Sequence, residues 1–249
     1  MRLMTWRHSG SEGPLAELLA SYPAYVAPFP GDPTALTDAQ ARANLEAMLA
    51  QKPQRLRLIR EALTRFDIDL EAGLAASDPN PFFDRIDRWA IETWPSIGGS
   101  EGKERVEHEL RWFVRRGLRR AFSSATAPEI LSTRRWRGSD RAGPDIFYSL
   151  LFDLALALGE VAIARRPEMY WGLDLTIRPE DDRVEYHVPM LRGVSVPDAE
   201  DPSSDTPYAL EQALFDSFVN ICKSIDPQMC EPTFYLRGMI AHYPATQRR

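Results

Sequence analysis

LFDLALALGEVAI, residues 151–163, decides how the rest of the chain must fold. The stretch is apolar on every side, and its only charges are Asp153 and Glu160. The apolar run begins at Gly143-Pro144 and stops at Arg166, before Pro167. One central helix over 144–166 is therefore predicted, since proline suits a first turn and cannot continue a helix. A membrane span needs about 20 apolar residues, so length alone permits one. The carboxylates oppose insertion, Asp by about 2.5–3.5 kcal/mol near a membrane helix centre. The prediction is a buried core helix.

The two carboxylates are seven residues apart. That separation puts them about 20° apart around a helix and about 10.5 Å apart along it. Both cannot ligate one metal ion from a straight helix, and the backbone spacing exceeds that of a glycosidase pair. A buried, unpaired carboxylate costs several kcal/mol. Asp153 and Glu160 are thus expected to be structural, pairing with basic residues of neighbouring helices or marking a solvent edge. Gly159 is costly inside a helix, and its expected use is close approach by another element.

Working outward, residues 1–35 are rich in proline. PLAELLASYP predicts a short helix and YVAPFPGDP an extended or turning segment after it. Thr37 and Gln40 make a capping box for the next helix. Pro53 reads as the first turn of a separate helix, Asn80-Pro81 as the cap and first turn of another. Short helices are expected near 68–76 and 127–136. After the central helix the period changes: YWGLDLTI (170–177) and RVEYHVPML (183–191) predict a β-hairpin over 170–191. Pro189 should end its pairing or place it at an edge. Tyr208–Ser224 and a segment after Pro232 read as helices. The expected architecture is mainly α, in the α+β class. It is a single helical domain over 1–249, with the proline-rich segment 1–35 and the hairpin as an insertion.

Composition narrows the class. The chain has 249 residues, 44% of them hydrophobic and 27% charged, with a net charge of -6. That is enough for a sizeable core, and an acidic chain is poorly suited to bind nucleic acid over its whole surface. Cys222 and Cys230 form no disulfide framework, and no leader peptide is read at the start, so the cytoplasm is the expected location. GGSEGK (98–103) resembles a phosphate loop but has Ile97 where a glycine belongs and Glu104 where a hydroxyl belongs. Glu104 and His108 are four apart rather than the three of a di-iron motif. No HExxH, zinc or nucleophile-elbow pattern occurs. Neither a catalytic set, a metal site nor a cofactor is predicted.

Charge is unevenly distributed. Residues 103–141 hold eleven Lys/Arg against five Asp/Glu, while 167–216 hold three against twelve. The acidic part includes Glu180, Asp181 and Asp182 in the hairpin turn, and Asp198, Glu200, Asp201 and Asp205 in a following loop. These seven are the candidate partner-binding residues, because exposed acidic loops speed and orient association with a basic protein.

YPAYVAPFPG (22–31), LGEVAIARRP (158–167) and MYWGLDL (169–175) together resemble uncharacterised bacterial immunity-type proteins. The resemblance implies a cytoplasmic protein without catalysis that neutralises a toxin, a basic toxin domain for instance, by covering it. Two other readings stay open: an enzyme with a site around Asp153, Glu160 and His187, and a nucleic-acid binder using the arginines of 111–137.

Overall fold

The computed structural model describes residues 13–98, 129–177, 186–193, 207–223 and 231–241. Helix α1 (Pro14–Ser21) starts on a proline and buries Leu15, Leu18 and Leu19. The chain from Tyr22 to Leu36 is then extended, apart from a 3-10 turn at Pro33–Ala35. Its prolines remove N–H donors and push preceding residues out of the helical region. Helix α2 (Asp38–Thr64) opens on the expected capping box: Thr37 Oγ1 accepts from the Gln40 N–H, and Gln40 Oε1 accepts from the Thr37 N–H.

The expectation of a new helix at Pro53 is overturned, because Pro53 lies inside α2. A proline there removes one intrahelical hydrogen bond. Packing compensates, since Lys52 and Arg55, on either side of it, both bond to the central helix. Helix α3 (Leu70–Ala75) is capped by the Asp69 side chain. Helix α4 (Asn80–Thr93) differs slightly from expectation: Asn80 is already in the first turn, and its N–H donates to Asp78. A short α5 (Pro95–Gly98) follows. The helix expected near 127–136 resolves into a 3-10 turn at Glu129–Leu131 and α6 (Thr133–Gly138), capped by Ser132.

Helix α7 (Ile146–Arg165) is the predicted central helix, introduced by a 3-10 turn at Gly143–Asp145. Every residue from Phe147 to Gly159 is buried. By length and composition it could cross a membrane, yet 83% of its most apolar stretch is covered by the rest of the fold. It packs chiefly on α2 and on α8 (Leu210–Cys222). One hydrophobic cluster runs from Leu18 of α1 through Ile59, Phe83 and Leu154 to Phe218 of α8. The last described helix is α9 (Phe234–Ala241).

The late hairpin is present but short. Strands β1 (Tyr170–Gly172) and β2 (Met190–Arg192) pair antiparallel, with Trp171 opposite Leu191. Leu191 also exchanges both backbone bonds with Tyr208, at 3.0 and 2.9 Å. The ladder cannot extend through 187–189. His187 has a left-handed backbone (φ 56), and Pro189 has no N–H to give. Pairing therefore starts at Met190.

Candidate functional site

Asp153 of α7 is fully buried and takes two donors from one residue of α2. Arg55 Nε donates to Oδ1 at 2.7 Å and Nη2 to Oδ2 at 2.6 Å. The Tyr22 hydroxyl adds a third bond, to Oδ2 at 2.5 Å. Arg55 spends its other donors on the carbonyls of Pro23 and Ala24. The group thereby ties α2, α7 and the extended segment into one knot. Burial lifts the Asp153 carboxyl, the bonds from Arg55 and Tyr22 hold it down, and it settles at about 6. It is ionised at neutral pH, as a bidentate arginine partner requires.

Glu160 has a separate set of partners. Lys52 Nζ and Trp171 Nε1 both donate to its Oε1, at 2.9 and 3.0 Å. The tryptophan of β1 reaches it by crossing Gly159. A Cβ at 159 would collide with the indole, whose Cη2 would sit 2.9 Å away. Glycine there is a requirement of this approach. Asp153, Gly159 and Glu160 thus all hold neighbouring elements against α7.

The residues that converge on open space lie on the other side of the extended segment. That segment works as a strap. Its Tyr25 N–H donates to Ser149 Oγ at 2.8 Å, and the Asn44 side-chain amide bonds both the N–H and the carbonyl of Phe29. Under it is a cleft of about 320 Å³, walled by the strap, by Trp136–Ala142, by His187–Pro189 and by Ala209–Gln212 at the start of α8. Phe152 of α7 also lines it, stacked on Tyr25 at 3.8 Å. Val26 and Phe29 sit on its rim and are 63% and 39% exposed.

Four polar side chains in the walls matter. Arg141, with a left-handed backbone (φ 59), lies over the rings of Tyr25 and Phe152 and pairs with Glu211 at 2.7 Å. Arg137 also lines the cleft. His187 Nε2 is 3.0 Å from Asp38 Oδ1, and its ring stacks on Tyr186. Gln212 donates from Nε2 to Asp216 at 2.8 Å. A carboxylate oxygen only accepts, so each contact fixes the other end of its side chain. His187 Nδ1 is the ring nitrogen away from Asp38, and Gln212 Oε1 is an amide acceptor. Both atoms are buried and lack a partner.

The seven acidic candidates, Glu180, Asp181, Asp182, Asp198, Glu200, Asp201 and Asp205, lie outside the described residues, as do the arginines of 111–120. Of the described arginines, Arg134 is exposed, Arg135 bonds Asp145 and Glu129, and Arg137 faces the cleft. They form no single free stripe. Asp153, Glu160 and His187 each hold different partners and make no bond to one another. Among the described residues, no group of three or more His, Cys, Asp or Glu could hold a metal ion. Compared with known proteins, the chain matches no family model, no curated protein and no solved structure.

Gln212, Arg141 and the cleft itself had no signal in the sequence that singled them out. Tyr22 and Tyr25 had a weak one: two aromatics in a proline-rich stretch that could not be helical must pack on something. Arg55 was one of four arginines on its helix, and only the fold separates it from the others.

Proposed function

We propose that this chain is a protein-binding module, most specifically a bacterial cytoplasmic immunity protein that neutralises a basic toxin domain by occluding it. The observation that carries the reading is that both acidic segments join the chain at walls of the same cleft. Residues 180–182 lead into Tyr186–Pro189, and residues 198–205 lead into Ala209–Gln212. An apolar rim in a chain that carries two acidic segments suits a partner with a positive surface around an apolar or aromatic projection. If that partner cleaves nucleic acid, its substrate-binding face supplies the positive charge, and covering it inactivates it.

Co-expression with the product of the adjacent gene tests the class. Cells survive the partner only when this chain is present. Replacing Asp198, Glu200, Asp201 and Asp205 by Ser tests the surface. It should slow association by about ten-fold at low salt and flatten its salt dependence. An unchanged on-rate removes the acidic loop from the interface.

A further inference from the structure

We infer that a second cavity, between α8 and the start of α9, takes the guanidinium of an arginine side chain presented by the partner. The source of the arginine rests on the protein-binding reading; the chemistry of the cavity does not. The α8 segment contributes Tyr208, Asp216 and Asn220 to its walls, and the α9 segment contributes Glu231, Phe234 and Tyr235. Its volume of about 360 Å³ lies at the lower end of the range for ligand pockets, roughly 300–1,000 Å³. That is room for one long side chain.

Charge selects the occupant. Two carboxylates, Asp216 and Glu231, line the cavity, and among the described residues no Lys, Arg or His does. Asp216 is exposed and Glu231 half-buried, so both are open to solvent. Asp216 accepts one bond, from Gln212 Nε2 at 2.8 Å, and the Glu231 side chain accepts none among the described residues. Neither is in an ion pair there. Partial burial raises the Asp216 carboxyl from its ordinary value, and the Gln212 bond and the charge of Arg137 offset only part of that rise. Two full negative charges outweigh the partial positive charge, about half a unit each, at the starts of α8 and α9. The rings of α9 are open as well. Phe234 and Tyr235 are 54% and 62% exposed and meet edge to face at 5.3 Å. Among the described residues, no arginine lies over either of them. A guanidinium matches this combination. It stacks on aromatic faces, its five donors can serve two carboxylates at once, and it sheds water more readily than an ammonium.

The test titrates the purified full chain with small probes and follows its amide shifts by NMR. Acetyl-argininamide is the flat cation, acetyl-citrullinamide the same shape without charge, and acetyl-lysinamide the charge without the plane. Arginine should bind about ten-fold tighter than citrulline, the value of one charge-assisted hydrogen bond. Its shifts should centre on 207–220 and 231–235, the segments that wall the cavity. Asp216→Asn and Glu231→Gln should each bring the ratio towards one; asparagine keeps an oxygen for the Gln212 amide. Tyr235→Leu should weaken arginine about three-fold by removing a ring face. No binding of arginine, binding equal to that of citrulline, or shifts elsewhere on the chain overturns the site. A ratio unchanged in both carboxylate variants does the same. Lysine bound as tightly as arginine overturns the choice of guanidinium. Ethylguanidinium bound while acetyl-argininamide is excluded overturns the protein source. Because no partner is in the titration, these results stand apart from the co-expression experiment. A preference for arginine in a chain that protects no cell would defeat the immunity reading alone.

Discussion

Two clusters of buried polar side chains flank the strap at residues 22–29, and they are completed differently. On one side, Asp153 accepts three short bonds, and Arg55 places its remaining donors on Pro23 and Ala24. On the other, His187 and Gln212 each make one bond and leave one buried polar atom unpaired. The first cluster has nothing left to offer a ligand. Its polar atoms are bonded inside the fold, which is the mark of a structural group. The second is unfinished, and it borders the cleft. Polarity and burial alone do not separate the two; the tally of unused donors and acceptors does.

The comparison predicts that the closed cluster dominates stability. Arg55→Met keeps the side chain's length and strands the Asp153 carboxylate. Urea unfolding at pH 8 should show a loss of about 3–5 kcal/mol, the usual result of removing one partner of a buried pair. The pH dependence has a definite sign. Burial already raises Asp153 to about 6, and without Arg55 it rises further. A carboxyl with a folded pKa above its unfolded one contributes stability that is present below the unfolded value. That stability is lost as pH rises through the folded value. The deficit of Arg55→Met should therefore be smaller at pH 5 than at pH 8. Adding Asp153→Leu should recover much of the loss at pH 8, since an apolar pair replaces an ionic one. A deficit that ignores pH, and that the second substitution leaves untouched, would break the assignment of this cluster as a paired buried ion.

Gly159→Ala comes next. Alanine gains up to about 1 kcal/mol in helix propensity, but Trp171 must move away from the new methyl group. Overpacking of this kind costs about 1–3 kcal/mol, so a net loss is expected in thermal or urea unfolding. In a Trp171→Leu background the same change should become neutral or stabilising. A loss of equal size in both backgrounds would show that the indole is not what excludes a side chain at 159.

The fold was legible where one residue type left only one option. The apolar run at 144–166 had to be interior because its polar alternatives were absent, and Thr37 with Gln40 had to cap a helix. The hairpin was legible in place but not in length, because β-branched and aromatic residues mark strands while the left-handed backbone of His187 has no sequence signature. Pro53 misled, since the residues on either side of it are held by Glu160 and Asp153 of α7, far along the chain. The same holds for the site. Asp153 and Glu160 stood out as charges in an apolar helix, and those residues turned out to have partners of their own. Gln212 and Arg141 looked like ordinary surface residues, because what makes them notable is a cleft assembled from four distant segments. Such a meeting is a property of tertiary structure alone.

Glu160→Gln should have a small effect. Its side chain and that of Lys52 are 19% and 26% exposed, and a glutamine oxygen can still accept from Trp171. A loss of about 0.5–1 kcal/mol, shrinking in high salt, fits a partly solvated pair. A loss as large as that of Arg55→Met would move Glu160 into the closed class.

The smallest stability effect belongs to the open cluster, and it is the sharpest test of the contrast. Gln212→Met deletes a buried acceptor that nothing satisfies, at the cost of one bond to Asp216 at the helix surface. These changes oppose each other, because an unpaired buried polar atom carries a desolvation penalty that an apolar atom does not. Unfolding free energy in urea should stay within about 0.5 kcal/mol of the unaltered chain. A group kept for stability would show a loss of about 1 kcal/mol or more. The measurement therefore decides whether the bond of Gln212 to Asp216 supports the fold, as the complete bonding of Asp153 does.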